Sequence, residues 1–236
     1  MWLNCPASIT KTKGMTRPSS KYAREGTAAH KVAELTLNGD IFLPDKITVE
    51  GEEFIVSPGM CRALNLYITF VQAMKLLPEA KVLLEKKLYV PDTDDLVWGT
   101  LDCGVYVPES GAVVIADLKY GKGHVVHPDA PQLKLYALAL AGHVSANYSK
   151  ASVTLAICQP RADCEPLRVH RTTLGELWQW SDFVMRPAVL RIADGDLTEN
   201  AGPHCRWCVR QTECAAFARR RQTYAAAAFD DEGGVL

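Results

Sequence analysis

One stretch of the sequence decides the expected fold: Val113-Val-Ile-Ala-Asp-Leu-Lys-Tyr-Gly121. Its β-branched and apolar residues predict a buried strand over Ala112–Tyr120. Side chains alternate between the two faces of a strand, so Asp117 and Lys119 are expected to point the same way and Leu118 the opposite way. Burying a carboxylate and an ammonium is costly unless they are paired or have a task. The stretch therefore predicts either a simple surface ion pair or part of a functional site.

Two further strands are expected before this one, and they bring a second carboxylate. The segments Ala80–Val90 and Leu96–Val107 are rich in β-branched and apolar residues and are separated by turn residues. In Trp98-Gly-Thr-Leu-Asp-Cys-Gly-Val-Tyr106, Asp102 lies mid-strand between small residues that allow close backbone approach. If this strand pairs with the next along the chain, Asp102 and Asp117 converge. Two such carboxylates repel unless a cation lies between them, and oxygen ligands favour Mg²⁺ or Mn²⁺.

Helices and shorter strands surround this block. The order of elements indicates an α/β fold with a central mixed β-sheet flanked by helices. We expect a single domain over residues 1–229, with 41–78 as a hairpin-plus-helix insertion, 200–229 as a cluster-binding C-terminal segment and 230–236 as a disordered tail. The predicted elements are a helix over residues 20–38, a hairpin over Lys46–Val56, helices over Pro58–Leu77 and Ala130–Val144, strands over Ser152–Gln159 and Leu167–Thr172, a helix over Leu174–Ile192 that is interrupted near Pro187, and a last helix over Thr212–Ala228.

Three more side chains are candidates for the same site. Arg24-Glu-Gly-Thr-Ala-Ala-His-Lys-Val-Ala-Glu34 places His30 on a helix, where it is either a structural residue or a metal ligand through a ring nitrogen. The Gly-Thr-Ala-Ala run before it leaves room for close packing. Gln132 and Tyr136 are one helical turn apart and could hydrogen-bond a phosphate or a water, although both could equally be ordinary helix surface.

These motifs together resemble a known family. Gly-Thr-Ala-Ala-His30, Gly-Thr-Leu-Asp102, Ile-Ala-Asp117-Leu-Lys119 and Gln132-Leu-Lys-Leu-Tyr136 are similar to the ordered motifs of RecB-type nucleases in the PD-(D/E)XK superfamily. The resemblance spans residues 5–215 and implies a restriction-endonuclease-like core. Asp117 stands where many relatives carry Glu.

The resemblance also implies roles for the residues. His30, Asp102, Asp117 and the Leu118 carbonyl would hold one or two divalent metal ions. Lys119 would orient or deprotonate the attacking water, and Gln132 and Tyr136 would hold the DNA phosphate. Asp102, Asp117, Lys119, Gln132 and Tyr136 are thus the expected catalytic residues. Glu34 and Glu85 are weaker candidates, and Glu85 is compatible with a position that simply faces solvent.

Four of the eight cysteines form a separate motif. Cys205-Arg-Trp-Cys208-Val-Arg-Gln-Thr-Glu-Cys214 supplies three thiols within ten residues, and Cys5 is the best candidate for a distant fourth. Four thiolates suit either zinc or an iron–sulfur cluster. The one-plus-three arrangement resembles the iron–sulfur site of several RecB-type nucleases, including helicase–nuclease subunits and CRISPR adaptation nucleases. That resemblance implies a [4Fe–4S] cluster that joins the N- and C-terminal regions.

Composition sets the class of protein without identifying a partner. The 236 residues are 48% hydrophobic, which allows one sizeable core. The sequence has no run of about 18 apolar residues, so no membrane span is predicted. The first residues lack the features of a signal peptide, so we expect a cytoplasmic protein. A net charge of −1 does not exclude nucleic acid, because the positions of the cations matter more than their sum.

The resulting hypothesis is a metal-dependent deoxyribonuclease, an exonuclease that acts in recombination or repair as a stand-alone phage-type protein. The expected partners are DNA and a helicase or recombination protein, since the chain has no Gly-x-x-x-x-Gly-Lys-Ser/Thr loop of its own. Two alternatives remain open. One is a catalytically inactive iron–sulfur module for DNA binding or assembly, and the other is an iron–sulfur redox protein.

Overall fold

The structure of the protein is a computed structural model that describes residues 1–40 and 42–232, without the side chains of residues 227–232. Two compact units make up the chain. The larger unit is Ser19–Gln179, and the smaller combines Met1–Pro18 with the chain from Trp180 onward. This division is finer than the single domain predicted for residues 1–229. The insertion at 41–78 and the cluster-binding role of 200–229 stay predictions.

The order of helices and strands follows the sequence patterns closely. The first helix and two 3-10 turns near the C-terminus, each of five residues or fewer, were not predicted, because such short segments carry no periodicity. In chain order the elements are α1 (Ala7–Lys11), α2 (Lys21–Asn38), β1 (Lys46–Val49), β2 (Glu52–Ile55), α3 (Pro58–Lys75), β3 (Lys81–Tyr89), β4 (Trp98–Val107), β5 (Ala112–Leu118), α4 (Pro131–His143), β6 (Ser152–Cys158), β7 (Leu167–Thr173), α5 (Leu174–Trp180), a π-helical turn (Ser181–Met185), α6 (Arg186–Ala193), the 3-10 turns Pro203–Trp207 and Gln211–Glu213, and α7 (Ala215–Glu232).

Two of the predicted boundaries are wrong by a few residues. β5 ends at Leu118 and not at Tyr120, so Lys119 lies just after the strand. The last helix runs to Glu232 and not to Ala228, so residues 230–232 are helical where a disordered tail was expected. Residues 233–236 of that predicted tail lie outside the described residues.

A five-stranded mixed sheet forms the centre of the larger unit, as predicted. The strands lie in the order β3-β4-β5-β6-β7. The pair β5–β6 is parallel and the other neighbours are antiparallel. Every residue of β5 after Ala112 is buried, which explains its continuous apolar run. β1 and β2 form a separate hairpin around Glu50-Gly51, as the alternation predicted.

Helices cover both faces of this sheet. On one face, α2 and α3 pack against Cys103, Val105, Val114, Ala116 and Leu118, side chains that alternate along β4 and β5. On the other face, α4 packs so closely that a Cβ at Gly104 would lie 2.9 Å from a methyl carbon of Leu140. The central sheet flanked by helices is thereby confirmed.

Capping residues place α2 where the sequence predicted it. The Ser20 hydroxyl accepts a hydrogen bond from the Ala23 N–H and so satisfies one of the free donors of the first turn. At the other end Gly39 has φ of 91°, a left-handed conformation that closes helices and that glycine adopts without steric cost. These two ends fix the register of the helix and therefore the position of His30.

The smaller unit joins the two ends of the chain through polar contacts. The Ala7 N–H donates to the Thr198 carbonyl, and the Asn200 side chain donates to the Asn4 carbonyl at 3.0 Å. Lys11 Nζ lies 2.7 Å from a carboxylate oxygen of Glu199. The N- and C-terminal regions are thus in contact, and the cluster expected to join them stays a prediction.

Candidate active site

The Asp117–Lys119 pair occupies the end of β5, where the strand gives way to a loop. Asp117 is 1% exposed, and Lys119 Nζ lies 2.9 and 2.7 Å from its two carboxylate oxygens. The Lys119 backbone N–H donates to the Cys158 carbonyl, which continues the parallel pairing with β6 for one more residue. The charged pair is therefore held from both sides, and the simple surface ion pair that the sequence also allowed is excluded by the burial of Asp117.

Asp102 meets this strand end from β4, as the antiparallel pairing predicted. The register places Cys103 opposite Ala116, so Asp102 follows opposite Asp117. The Asp102 side chain accepts a hydrogen bond from the Leu118 N–H at 2.7 Å. The Asp102 carboxylate thus binds a backbone N–H of β5 at the point where the regular hydrogen bonding between β4 and β5 ends.

A histidine and a third carboxylate complete the cluster. His30 Nδ1 on α2 lies 3.5 Å from an oxygen of Asp102 and 3.6 Å from an oxygen of Glu85 on β3. The three ligand atoms all lie within 4.8 Å of one another. Adjacent ligands of an octahedral ion with bonds of about 2.1 Å lie roughly 3 Å apart, so small side-chain movements would bring these atoms onto one cation.

The pKa values of two cluster members, Asp102 and His30, are raised. Burial and the charge of Asp117 raise the pKa of Asp102 to about 7, although His30 and the Leu118 N–H partly oppose them. Burial lowers the pKa of His30, but the neighbouring carboxylates of Glu85 and Asp102 outweigh it and the pKa is raised. Repelling carboxylates of this kind mark a place where a cation would be stabilised.

Lys119 is held in its charged form. Burial lowers its pKa, but the ion pair with Asp117 more than compensates, and the pKa is raised. At neutral pH Lys119 therefore carries an ammonium, which donates hydrogen bonds and cannot accept a proton.

One oxygen of Asp117 still lacks a properly directed donor. Its Oδ2 is buried and has no hydrogen-bond partner among the described residues, even though Lys119 Nζ is 2.7 Å away, because the contact does not have hydrogen-bond geometry. A buried, unsatisfied carboxylate oxygen costs free energy unless something else binds it. This atom fits a ligand to a cation shared with the neighbouring cluster.

Glu85 was a weaker candidate from sequence that could also have faced solvent, and the structure places it with His30 and Asp102. Its φ of 45° is in the left-handed region, although it lies within β3 between Leu84 and Lys86, which pair regularly with β4. A non-glycine residue in this conformation is strained, and such strain gathers at functional sites. The available sequence signal was that Glu85 is the one acidic residue of the strand.

The helical glutamine and tyrosine lie beside the cluster as predicted. Gln132 Nε2 donates to the Tyr136 hydroxyl at 2.8 Å. The Tyr136 ring packs on β4 at Gly99, where any Cβ would lie 2.6 Å from ring carbon Cε1. Burial raises the pKa of Tyr136, and the charges of Asp117 and Asp102 add to this effect. The Gly-Thr-Leu-Asp102 motif thus begins with glycine because a side chain at residue 99 would collide with the Tyr136 ring.

Two expectations about α2 need correction. A Cβ on Gly26 would meet no atom within 4 Å, so the close packing there comes from Ala28 and Ala29, both fully buried. Glu34 pairs with Lys31 at 2.8 Å and does not belong to the group of ligand atoms around His30. The helix therefore contributes His30 alone to that group.

Gln159 is a site residue that sequence reasoning missed. Its side chain is almost fully buried and accepts from the Val126 N–H and from Arg168, at 3.1 and 2.9 Å. Its amide nitrogen donates to the His124 carbonyl at 2.9 Å, and more weakly to the Gly121 carbonyl. Gln159 thereby fixes the loop that follows Lys119. Nothing in the local pattern at the end of a strand distinguishes such a residue from an exposed glutamine.

The four cysteines of the second motif line one cavity in the smaller unit. Cys5, Cys205, Cys208 and Cys214 all border one cavity that is partly open to solvent. The Gly202 N–H donates to the Cys205 sulfur at 3.3 Å. Lys11, Arg210 and Glu199 lie on the wall of the same cavity, and the Glu199 carboxylate pairs with both cations, so one net positive charge borders the thiols.

Two details of this cavity bear on what the thiols could hold. Ser8 is 4% exposed and lines the cavity, and its hydroxyl has no hydrogen-bond partner among the described residues. Four sulfurs on one zinc would lie about 3.8 Å apart, given Zn–S bonds of about 2.3 Å. No three of these sulfurs belong to a group of ligand atoms within 4.8 Å in the described chain. Among the described residues, the cysteines therefore do not form a preformed tetrahedral zinc site.

Comparisons with known proteins give a family and one distant structure. A family model with the description "Protein of unknown function (DUF2800)" matches residues 1–233. A solved structure entitled "Crystal structure of SSO0001" is similar over 92% of this chain and 83% of that chain, with 11% sequence identity and a TM-score of 0.38. In the described part of the chain, no helix is both long and apolar enough to cross a membrane.

Proposed function

This chain belongs to the DUF2800 family, and we propose that its function is the divalent-metal-dependent hydrolysis of phosphodiester bonds in DNA. One observation carries the proposal: His30, Glu85 and Asp102 place their ligand atoms within 4.8 Å of one another beside the buried Asp117–Lys119 pair. The proposal includes membership of the PD-(D/E)XK superfamily of RecB-type nucleases, which the order of the motifs supports.

The residues present fit a hard divalent cation. His30, Glu85 and Asp102 supply one nitrogen and two carboxylate ligands, and the unsatisfied Oδ2 of Asp117 supplies another oxygen. The Leu118 carbonyl stays a predicted ligand. When bound, Mg²⁺ or Mn²⁺ would supply charge stabilisation at the phosphate and lower the pKa of a water molecule.

The remaining residues orient the substrate and the water. The Lys119 ammonium can donate hydrogen bonds to a water or to a phosphate oxygen, and its raised pKa argues for this orienting role over deprotonation of the water. Gln132 and the Tyr136 hydroxyl are linked to each other and offer donors to a phosphate next to the carboxylates. In the hydrolysis, water forms a bond to phosphorus, the bond to one sugar oxygen breaks, and that oxygen takes up a proton.

We also propose a [4Fe–4S] cluster on Cys5, Cys205, Cys208 and Cys214. The shared cavity and the unpartnered Ser8 hydroxyl support a group that all four thiols bind together. A buried hydroxyl that lacks an acceptor could donate to a cluster sulfur. Protein purified without oxygen should be coloured and contain iron and sulfide in equal amounts. Colourless protein that contains zinc would contradict the cluster and leave the proposed hydrolysis intact.

The test of the hydrolysis is digestion of DNA labelled at either end, with Mg²⁺ or Mn²⁺ and with EDTA as the blank. Asp117→Ala and Lys119→Ala should both abolish cleavage, while Glu34→Gln, a change on the same helix as His30 but outside the ligand group, should retain it. The labelled end that is released first gives the polarity of an exonuclease. Coloured, folded protein that binds DNA without cutting it would instead support the inactive binding or assembly module.

A further inference from the structure

An exposed stack of one cation and two aromatic rings lies on β3 and β4. Lys87 Nζ lies 4.0 Å from the ring centroid of Trp98 and 5.2 Å from that of Tyr89. Tyr89 and Trp98 are directly opposite each other in the antiparallel pair, so their side chains share one face of the sheet. Trp98 is 57% exposed and Tyr89 is 44% exposed. Two large aromatic side chains are thus open to solvent side by side.

The stack continues the strands that carry the candidate metal ligands. Trp98 precedes Asp102 by four residues on β4, and Tyr89 follows Glu85 by four residues on β3. Four residues of strand span about 13 Å. A few nucleotides of an extended single strand cover that length. A strand of nucleic acid with a phosphate at the ligand group could therefore reach the two rings with its neighbouring bases.

The lysine and the aromatic rings of this surface together indicate which class of ligand it binds. Aromatic faces bind the exposed faces of nucleobases, and a lysine beside them neutralises the phosphate backbone. Lys87 is exposed on β3 and supplies such a cation. Beyond the rings, the exposed Asp94 and Asp95 of the connecting turn would repel phosphate and limit how far the strand extends. Bases in a duplex are stacked on each other, so only an unpaired segment offers free faces.

We propose that Trp98, Tyr89 and Lys87 form a stacking surface for the single-stranded segment of the nucleic acid whose phosphate is held at the His30–Glu85–Asp102 group. The inference rests on the proposed function for the position of the phosphate. It adds the substrate class: single-stranded DNA, or the unpaired end of a duplex, in preference to blunt duplex DNA.

The test measures binding in EDTA, where the proposed cleavage does not interfere. Fluorescence anisotropy with a labelled oligothymidylate and with a blunt duplex of equal length would be compared for wild type, Trp98→Ala and Trp98→Phe. Trp98→Ala should weaken oligothymidylate binding about ten- to hundredfold, Trp98→Phe should restore most of it, and duplex binding should change little. Tyr148→Ala is the matched control, since Tyr148 is also 57% exposed but lies outside this stack.

The outcomes separate this inference from the proposed hydrolysis. Protein that binds oligothymidylate through Trp98 but never cuts DNA would refute the hydrolysis and keep the stacking surface. Protein that cuts DNA, but whose Trp98→Ala and Tyr148→Ala variants bind oligothymidylate equally well, would overturn the stacking surface. Sedimentation that changes in Trp98→Ala, with DNA binding unaltered, would assign the rings to contact with a second copy and would also overturn it.

Discussion

Two regions of this molecule gather potential metal ligands, and they are built in opposite ways. At the carboxylate site, Asp102 and Glu85 belong to paired strands and His30 to a helix of 18 residues. In the cysteine cavity, Cys5 and Cys208 lie in irregular chain, and Cys205 lies in a 3-10 turn of five residues. The first site has a backbone framework that does not require an ion. We propose that the second depends on the group that the thiols bind.

The charges around the two groups of ligands also differ. Burial and repulsion from Asp117 raise the pKa of Asp102 to about 7, so the charged cluster without an ion is destabilising. In the cysteine cavity the cations of Lys11 and Arg210 are paired with Glu199, and the unpartnered Ser8 hydroxyl can donate to a bound anionic group. Removing a ligand should therefore impair activity at the first site and folding at the second.

The largest expected effect is the loss of cleavage in Asp102→Asn. This change removes a candidate ligand and a charge but keeps the shape of the side chain, so we expect the rate to fall by about a thousandfold or more. The unfolding free energy at pH 8 should not decrease, because one of the repelling charges is gone. Initial rates with Mn²⁺ and chemical denaturation measure the two quantities. A variant that loses stability and activity together would break the comparison.

The next effect is on folding. Cys208→Ser should lower the unfolding free energy by at least about 3 kcal/mol, because four-thiolate sites contribute about 10 kcal/mol or more to the folding of small metal-binding domains. Thermal unfolding and limited proteolysis would locate the loss in the smaller unit. Cys61→Ser, a change in α3 of the larger unit, is the control. A Cys208→Ser variant as stable as this control would show that the cavity holds its shape without a bound group.

A smaller effect should follow from Gly99→Ala. The added Cβ would lie 2.6 Å from Tyr136 Cε1 and must displace the ring, and a shift of about 1 Å in a positioning group can reduce rates up to a hundredfold. Gly26→Ala is the control, since open space surrounds that position and alanine favours the helix. Tyr136→Phe distinguishes loss of the hydroxyl from displacement of the ring. Equal rates for Gly99→Ala and wild type would argue against a role for Tyr136.

The smallest effect is a pH dependence of stability in the metal-free protein. The pKa of Asp102 is raised from 3.8 to about 7, so between these values the folded state binds more protons than the unfolded state. Stability from this group is full at low pH and is lost as pH rises through about 7. The raised pKa of His30 acts in the same direction.

The measurement is the difference in unfolding free energy between wild type and Asp102→Asn, which cancels the other carboxylates. Relative to the variant, the unfolding free energy of wild type should fall by on the order of 1 kcal/mol between pH 4 and pH 8 in EDTA. Mn²⁺ at pH 8 should restore the stability that wild type loses relative to the variant, because the ionised carboxylate binds the cation. A difference that is constant across this range would show that Asp102 is not perturbed by its neighbours.

Local patterns in the sequence were sufficient for most of the fold. Hydrophobic periodicity, runs of β-branched residues and turn residues located α2 to α4 and all seven strands, because these signals lie within the elements themselves. The end of β5 was misplaced since Tyr120 continues the apolar pattern, while the loop beyond Lys119 is fixed by Gln159, the residue that follows β6. No local pattern contains that contact.

The residues of the candidate site likewise fall into those that the local sequence predicts and those that only contacts between distant segments place. The sequence by itself brought Asp102 and Asp117 together, because strands joined by a short turn pair in a register that nearby residues determine. It also grouped the C-terminal cysteines by spacing. Only the tertiary structure decided that Glu85 turns into the ligand group and that Ser8 borders the cysteine cavity. Those positions depend on contacts between segments distant in the chain, and burial and distance arise only when the whole chain has folded.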